Sequence, residues 1–303
     1  MQYRIVDLGG PVGYADYGGE GPTLVLIHGL AGAHINWMAV APKLAESYHV
    51  LAIDLIGFGR TPLAGRRADV ETNLELAGRF VEEIAGGPSL VIGHSMGGFL
   101  TLALAASRPS LVTAAVAVSA ASPPGDSAHP MPPEEDALIQ LLIADPENGA
   151  QVAHSHISSV GAEALVEGAF DYMCSRTVAR EILDAHIELE SERMQTSEST
   201  LAYLQAYKSL KSRGDEFEAF DEIVRAITAP MLVVHGLQDP VVPADNMLRA
   251  VRSRPDWEAA WLDGVGHNVQ MEAPEEFLAV VEPFLAAHAA VAPARRAWAR
   301  SPS

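Results

Sequence analysis

The run Leu90-Val91-Ile92-Gly93 leads straight into Gly93-His94-Ser95-Met96-Gly97-Gly98, and a helical pattern (GGFLTLALAAS) leaves that turn and stops at Arg108-Pro109. A strand that becomes a helix within so few residues forces the central residue, Ser95, into strained backbone angles and lifts its hydroxyl above the sheet. Glycines are needed on both flanks, because larger side chains would collide across the turn. The helix start also brings backbone N–H groups and the positive end of the helix dipole beside the serine. Taken alone, G-x-S-x-G is a weak pattern in a glycine-rich chain. The strand before it and the helix after it make it a constraint.

The rest of the chain repeats that alternation. Short apolar runs bounded by turn residues lie at 23–28 (TLVLIH), 50–54 (VLAID), 90–93, 115–119 (AVAVS), 231–235 (MLVVH) and 259–262 (AAWL), as buried parallel strands should. Helical patterns occupy 37–46, 72–84 and 97–107. Alternating strands and helices with right-handed crossovers predict an α/β fold, a mostly parallel sheet covered on both faces. Residues 3–7 and 12–17 alternate apolar and polar side chains and suit an antiparallel edge hairpin. The rhythm breaks after a proline-rich entry, ASPPGDSAHPMPPEED, and about a hundred residues of helical periodicity follow. This predicts a core in two parts, 1–121 and 223–286, interrupted by an inserted helical cap at 122–222, with a flexible tail at 287–303.

Charge sharpens the division. Acidic side chains number 39 and basic ones 20, a formal −19, and residues 122–222 hold 20 acidic and six basic, a net −14 that leaves −5 for everything else. So acidic a chain argues against nucleic acid and anionic lipid as partners, and a negative cap tends to repel polyanionic ligands. Cys174 is the single cysteine and has no internal disulfide partner. No CxxC or Cys/His cluster suggests a metal, and the spacing of His154 and His156 would suit a strand rather than a helical region. Neither a basic patch followed by an apolar stretch near MQYRIVDLGG nor an apolar run of spanning length is present. The expectation is a soluble cytoplasmic protein without membrane anchor, cofactor or metal, whose partner is a small-molecule substrate.

Four stretches carry a resemblance: His28-Gly29-Leu30-Ala31-Gly32 ahead of Trp37; Asp54-Leu55-Ile56-Gly57-Phe58-Gly59-Arg60; Gly93 to Gly98; and the pair His235-Gly236-Leu237-Gln238-Asp239-Pro240 and Gly264-Val265-Gly266-His267. The chain resembles the α/β-hydrolase superfamily, in particular its lid-bearing, epoxide-hydrolase and C–C-hydrolase-like members, over nearly all of residues 1–286. The second stretch is similar to the family's D-x-x-G-x-G-x-S, with Thr61 where serine usually stands. The resemblance implies the α/β-hydrolase fold and the position of a site. It says little about substrate.

A serine hydroxyl needs a base, and the base an orienting acid. In this fold the chain order is Ser, acid, His, which assigns Ser95 as nucleophile, Asp239 just beyond the strand MLVVH as acid, and His267 as base. Asp126, after the strand AVAVS, is a competing acid. Backbone N–H groups of Leu30 and Met96 would form the oxyanion hole, leaving both side chains to shape the pocket. His28 is expected to brace its loop, Trp37 to pack in the core and His34 to face solvent. Serine rather than aspartate at position 95 favours addition to a carbonyl. The cap charge, and Leu30-Ala31-Gly32-Ala33 where C–C hydrolases usually show G-P-G-A, favour a carboxylic ester or thioester of a neutral, fairly apolar acyl group. C–C hydrolysis of dienone acids on the same triad stays open, as does a catalytically silent binding protein.

Overall fold

A computed structural model describes residues 1–123, 133–214 and 217–289. Its elements, in chain order, are β1 (Gln2–Asp7), β2 (Pro11–Gly18), β3 (Thr23–Ile27), α1 (Ala41–Leu44), β4 (His49–Ile53), α2 (Val70–Arg79), β5 (Ser89–His94), α3 (Met96–Ser107) and β6 (Val112–Val118). Then come α4 (Pro133–Ala144), α5 (Pro146–Val160), α6 (Ala162–Met173), α7 (Arg180–Arg193), α8 (Glu198–Gly214) and α9 (Phe217–Ala226). The chain closes with β7 (Met231–Gly236), α10 (Asp245–Ser253), β8 (Glu258–Leu262), α11 (Val269–Glu272) and α12 (Pro274–Ala289).

All eight strands join one sheet in the order β1-β2-β4-β3-β5-β6-β7-β8. β1 and β2 form the expected antiparallel hairpin, β2 meets β4 antiparallel, and every other pairing is parallel. The central strands β3, β4 and β5 are buried along their whole length, as runs covered on both faces must be. Their side chains sort by the two-residue period of a strand. Val25, Ile27, Leu51, Ile53 and Val91 join the core beneath α2 and α3. Leu24, Leu26, Val50, Ala52, Leu90 and Ile92 join the opposite core, with Trp37 and with Phe277, Val281 and Phe284 of α12.

Differences from expectation are local. The helix expected over 37–46 is a 3-10 turn, His34–Trp37, followed by the single turn of α1 with Pro42 near its start. The second expected helix ends as a π-helical turn, Phe80–Ile84. Between β6 and β7 the described residues are helical and carry no strand. The last helix runs on to Ala289, past the expected tail start, and the remainder of the tail lies outside the described residues. Among the described residues no helix is long and apolar enough to cross a membrane.

What positions the site is how closely α3 approaches the sheet. A Cβ on Gly97 would run into the carbonyl oxygens of Ile27 and His28, one on Gly93 into the carbonyl of Gly97, and one on Gly98 into Ala120. α3 is buried from Met96 through Ala105. Gly97→Ala is therefore expected to cost about 3 kcal/mol or more, since the obstructing atoms are backbone and cannot rotate aside. Urea unfolding would check it; a loss below about 1 kcal/mol would mean that α3 can back away from the sheet.

Candidate active site

Ser95 sits at the β5–α3 turn with φ 54° and ψ −118°, a left-handed backbone that a non-glycine residue holds only under constraint. The constraint comes from both neighbours on the sheet. Its amide donates to the carbonyl of Val118 at 2.9 Å, and its carbonyl accepts from the amide of Ala121 at 2.9 Å. Above it passes the turn after β3: a Cβ on Gly29 would stand 2.9 Å from Ser95 Cβ. Leu30, next in that turn, borders the same cavity as Ser95. The side chain of Met96 does not, because it packs into the core under the turn. Only its backbone stays with Ser95.

The expected acid and base meet. His267 Nδ1 donates to Asp239 Oδ2 at 2.7 Å, and Asp239 Oδ1 accepts from the amides of Val241 and Val242, each at 2.8 Å. His235, at the end of β7, donates from Nε2 to the carbonyl of Val242 and lies 3.4 Å from Asp239 Oδ2. Burial opposes a charge on Asp239, but the His267 charge and the hydrogen bonds from His235 and His267 outweigh it and hold the carboxyl far below the ordinary range. Asp126, the competing acid, lies outside the described residues.

His94 braces His267 from the other side. Its Nε2 donates to the His267 carbonyl at 2.9 Å, and the two rings stand 4.8 Å apart at 53°. Burial, followed by the neighbouring His267 charge, lowers the His94 pKa to about 3. Burial likewise lowers His28 to about 4. His28 does brace its loop: Nδ1 donates to the Gly29 carbonyl at 2.7 Å and Nε2 accepts from the Leu55 amide at 3.0 Å.

His34 corrects the expectation of solvent exposure. It is buried with its Nδ1 3.0 Å from both oxygens of Asp54, and its amide donates to Asp54 Oδ1 at 2.7 Å. Asp54 also accepts from the Tyr3 hydroxyl at 2.7 Å and the Arg60 amide at 3.0 Å. Thr61 ties its turn down through its hydroxyl, donating to the Asp54 carbonyl and accepting from the Gly13 amide, each at 2.8 Å.

Glu272 is a further contributor that the sequence reading missed. This buried carboxylate accepts from the amides of Gly266 at 2.9 Å, Asn268 at 2.9 Å, Ser175 at 2.8 Å and Arg176 at 3.2 Å. The His267 amide adds a bond to the Met173 carbonyl at 2.8 Å. One carboxylate thus ties both sides of His267 to the segment leaving α6. The only signal in the sequence was an acidic residue five positions after the histidine, which is common at helix ends.

A cavity of about 410 Å³ opens over Ser95 and His267, walled by α5 to α8. Ile157, Leu165, Val166, Phe170 and Met173 give it apolar walls, while His186, Glu190, Arg193, Thr200 and Tyr203 are polar. Among the described residues no group of three or more His, Cys, Asp or Glu is placed to hold a metal.

With fold and site in view, comparison with known proteins places the chain. It belongs to the alpha/beta hydrolase family, whose profile matches residues 24–280. It is 26% identical over 301 residues to the 2-hydroxy-6-oxo-6-(2'-aminophenyl)hexa-2,4-dienoic acid hydrolase of Metapseudomonas resinovorans, covering 94% of this chain and 91% of that protein. To the pimeloyl-[acyl-carrier protein] methyl ester esterase of Aeromonas hydrophila subsp. hydrophila it is 26% identical, covering 88% of this chain and 96% of the esterase. In structure it is similar to a putative lipase from Acinetobacter baumannii AYE, with a TM-score of 0.74 at 24% identity, covering 94% and 91% of the two chains. Relatives named as hydrolases of 2-hydroxy-6-oxo dienoic acids and one named as a methyl ester esterase support a hydrolase.

Two outcomes follow from these contacts. Because folded His28 and His94 titrate below their unfolded value of about 6.5, the unfolded chain binds the extra protons as pH falls. Stability is full above about pH 6.5 and should fall by about 2 kcal/mol per histidine on reaching pH 5. Urea titrations at pH 7.5 and pH 5 measure this, and equal midpoints would contradict it. Glu272→Gln turns an –NH2 toward backbone N–H groups and should cost about 2–3 kcal/mol, read from the same titration at pH 7.5.

Proposed function

We propose that the chain is a serine hydrolase that cleaves a carboxylic ester or thioester of a neutral, largely apolar acyl group through an acyl-enzyme on Ser95. The observation that carries this reading is the 2.7 Å bond from His267 to Asp239, with His267 bordering the same cavity as Ser95 on its strained turn. In this mechanism His267 takes the Ser95 proton as Oγ adds to the acyl carbonyl. The oxyanion rests on the N–H groups of Leu30 and Met96, a kind of contact worth about 2.7–4 kcal/mol per donor. His267 passes the proton to the departing alcohol or thiol, then accepts one from the water that releases the acid. Asp239 keeps the imidazole in the tautomer with Nε2 toward the serine and stabilises its charged form. No cofactor takes part. The helices between β6 and β7 act as the cap that walls the acyl pocket, within the division 1–121, 122–222 and 223–286.

A neutral acyl group is favoured by the charges on the cavity wall, where Arg193 is paired with Glu190 at 3.3 Å. C–C hydrolysis of dienone acids is the second reading, since several relatives are named as hydrolases of 2-hydroxy-6-oxo dienoic acids.

A fluorophosphonate probe should label the wild type once per chain and leave Ser95→Ala untouched. Folded protein that takes no label would point to a silent binding protein instead. Between the two hydrolases, para-nitrophenyl acyl esters should be turned over with higher kcat/KM than a ring-fission dienoate; the reverse order would hand the assignment to C–C hydrolysis.

A further inference from the structure

Two successive helices border the cavity with opposite chemistry. From α6, Leu165, Ala169 and Met173 repeat at helical spacing as an apolar stripe. From α7, His186, Glu190 and Arg193 stand at i, i+4 and i+7 as a polar one. The two charges of that stripe satisfy each other, and Arg193 Nη2 donates to the Gly57 carbonyl at 3.3 Å. His186 has no such closure.

Its Nδ1–H donates to the Ile182 carbonyl at 2.8 Å, and its ring stands edge-on to Phe170 with centroids 5.0 Å apart. Donation from Nδ1 leaves the lone pair on Nε2. Burial, partly opposed by the bond to Ile182, lowers the pKa to about 4, so the ring is neutral at pH 7. Nε2 is buried and has no hydrogen-bond partner among the described residues. An acceptor buried without a donor costs about 1–3 kcal/mol, which a ligand that supplies the donor recovers.

We propose that His186 sets the specificity of the Ser95 site by accepting, at Nε2, a hydrogen bond from a hydroxyl or amide N–H on the substrate. The favoured ester then carries one neutral donor on an otherwise apolar acyl chain: apolar carbon against α6, the donor against α7. A carboxylate is disfavoured at that point, since it offers only acceptors to a lone pair, beside Glu190 and an arginine already engaged. This inference rests on the ester-hydrolase reading above.

The test uses matched para-nitrophenyl esters, an alkanoate and the same chain bearing one hydroxyl at successive positions, with wild type, His186→Phe and His186→Gln. Wild type should favour the best hydroxylated ester over its alkyl partner by about tenfold or more in kcat/KM. His186→Phe keeps an aromatic ring against Phe170 and should bring that ratio to about one. His186→Gln, through its carbonyl oxygen, should restore part of it. A purely structural role would lower both substrates together and leave the ratio standing. The matched methyl ketones, which need only bind, are compared in parallel as protectants of Ser95 against the fluorophosphonate. No preference at any position in the wild type, or a preference that survives in His186→Phe, overturns the proposal. Labelling separates the failures: unlabelled Ser95 removes the ester-hydrolase reading and this inference with it, whereas full labelling without a donor preference removes only the role of His186.

Discussion

The contact between α3 and the sheet is the constraint from which the site follows. With no side chain at Gly93, Gly97 or Gly98, the helix rests on the carbonyls that end β3 and on Ala120 beyond β6. At that separation the connection from β5 has room for one residue, and that residue must take a positive φ. A non-glycine residue in such a conformation costs about 1–3 kcal/mol. The hydrogen bonds of Ser95 to Val118 and Ala121, on the neighbouring strand and just past it, keep the turn from relaxing. The missing side chain at Gly29 lets the turn after β3 cross directly above Ser95 in the same way.

Loops around this point are held by buried carboxylates that gather N–H and O–H groups from distant parts of the chain. Asp54 collects the loop after β3, the Arg60 turn and Tyr3 of the edge strand. Glu272 collects the two sides of His267 and the segment that leaves α6. Burying a carboxylate is costly unless its lone pairs are filled, and charge-assisted bonds to backbone N–H groups fill them without needing a buried cation. The arrangement has a mechanical consequence. His267 is bonded through its amide to the Met173 carbonyl, so it is tied directly to the end of α6.

What could be read from the sequence were features whose cause lies within a few residues. Apolar runs such as TLVLIH and MLVVH disclose buried strands because both faces are covered, and the glycines around Ser95 disclose a close approach because nothing else fits. That Asp239 and His267 come together was legible from their place at strand ends. His34 was not, because its burial depends on Asp54, 20 positions away, and a histidine in a glycine-rich loop gives no sign of such a partner. Glu272 and His186 escaped for the same reason. The first acts through amides on another element, and the second shows its character only once Phe170 and the Ile182 carbonyl have fixed its ring.

Net charge is the feature whose meaning changes most between sequence and structure. Among the described residues, the acids of 122–222 lie largely on outward helix faces, where Arg180 alone meets Glu163, Glu167 and Asp184. Exposed pairs of this kind contribute little stability, and salt screens their field within about 8 Å. Inside the cavity the one carboxylate on α7 faces its own arginine. The proposed preference against an anionic ligand therefore does not depend on the surface charge that first suggested it. It depends on a wall where the cation is already used and the free histidine nitrogen is an acceptor, and such a wall selects by hydrogen-bond direction rather than by charge.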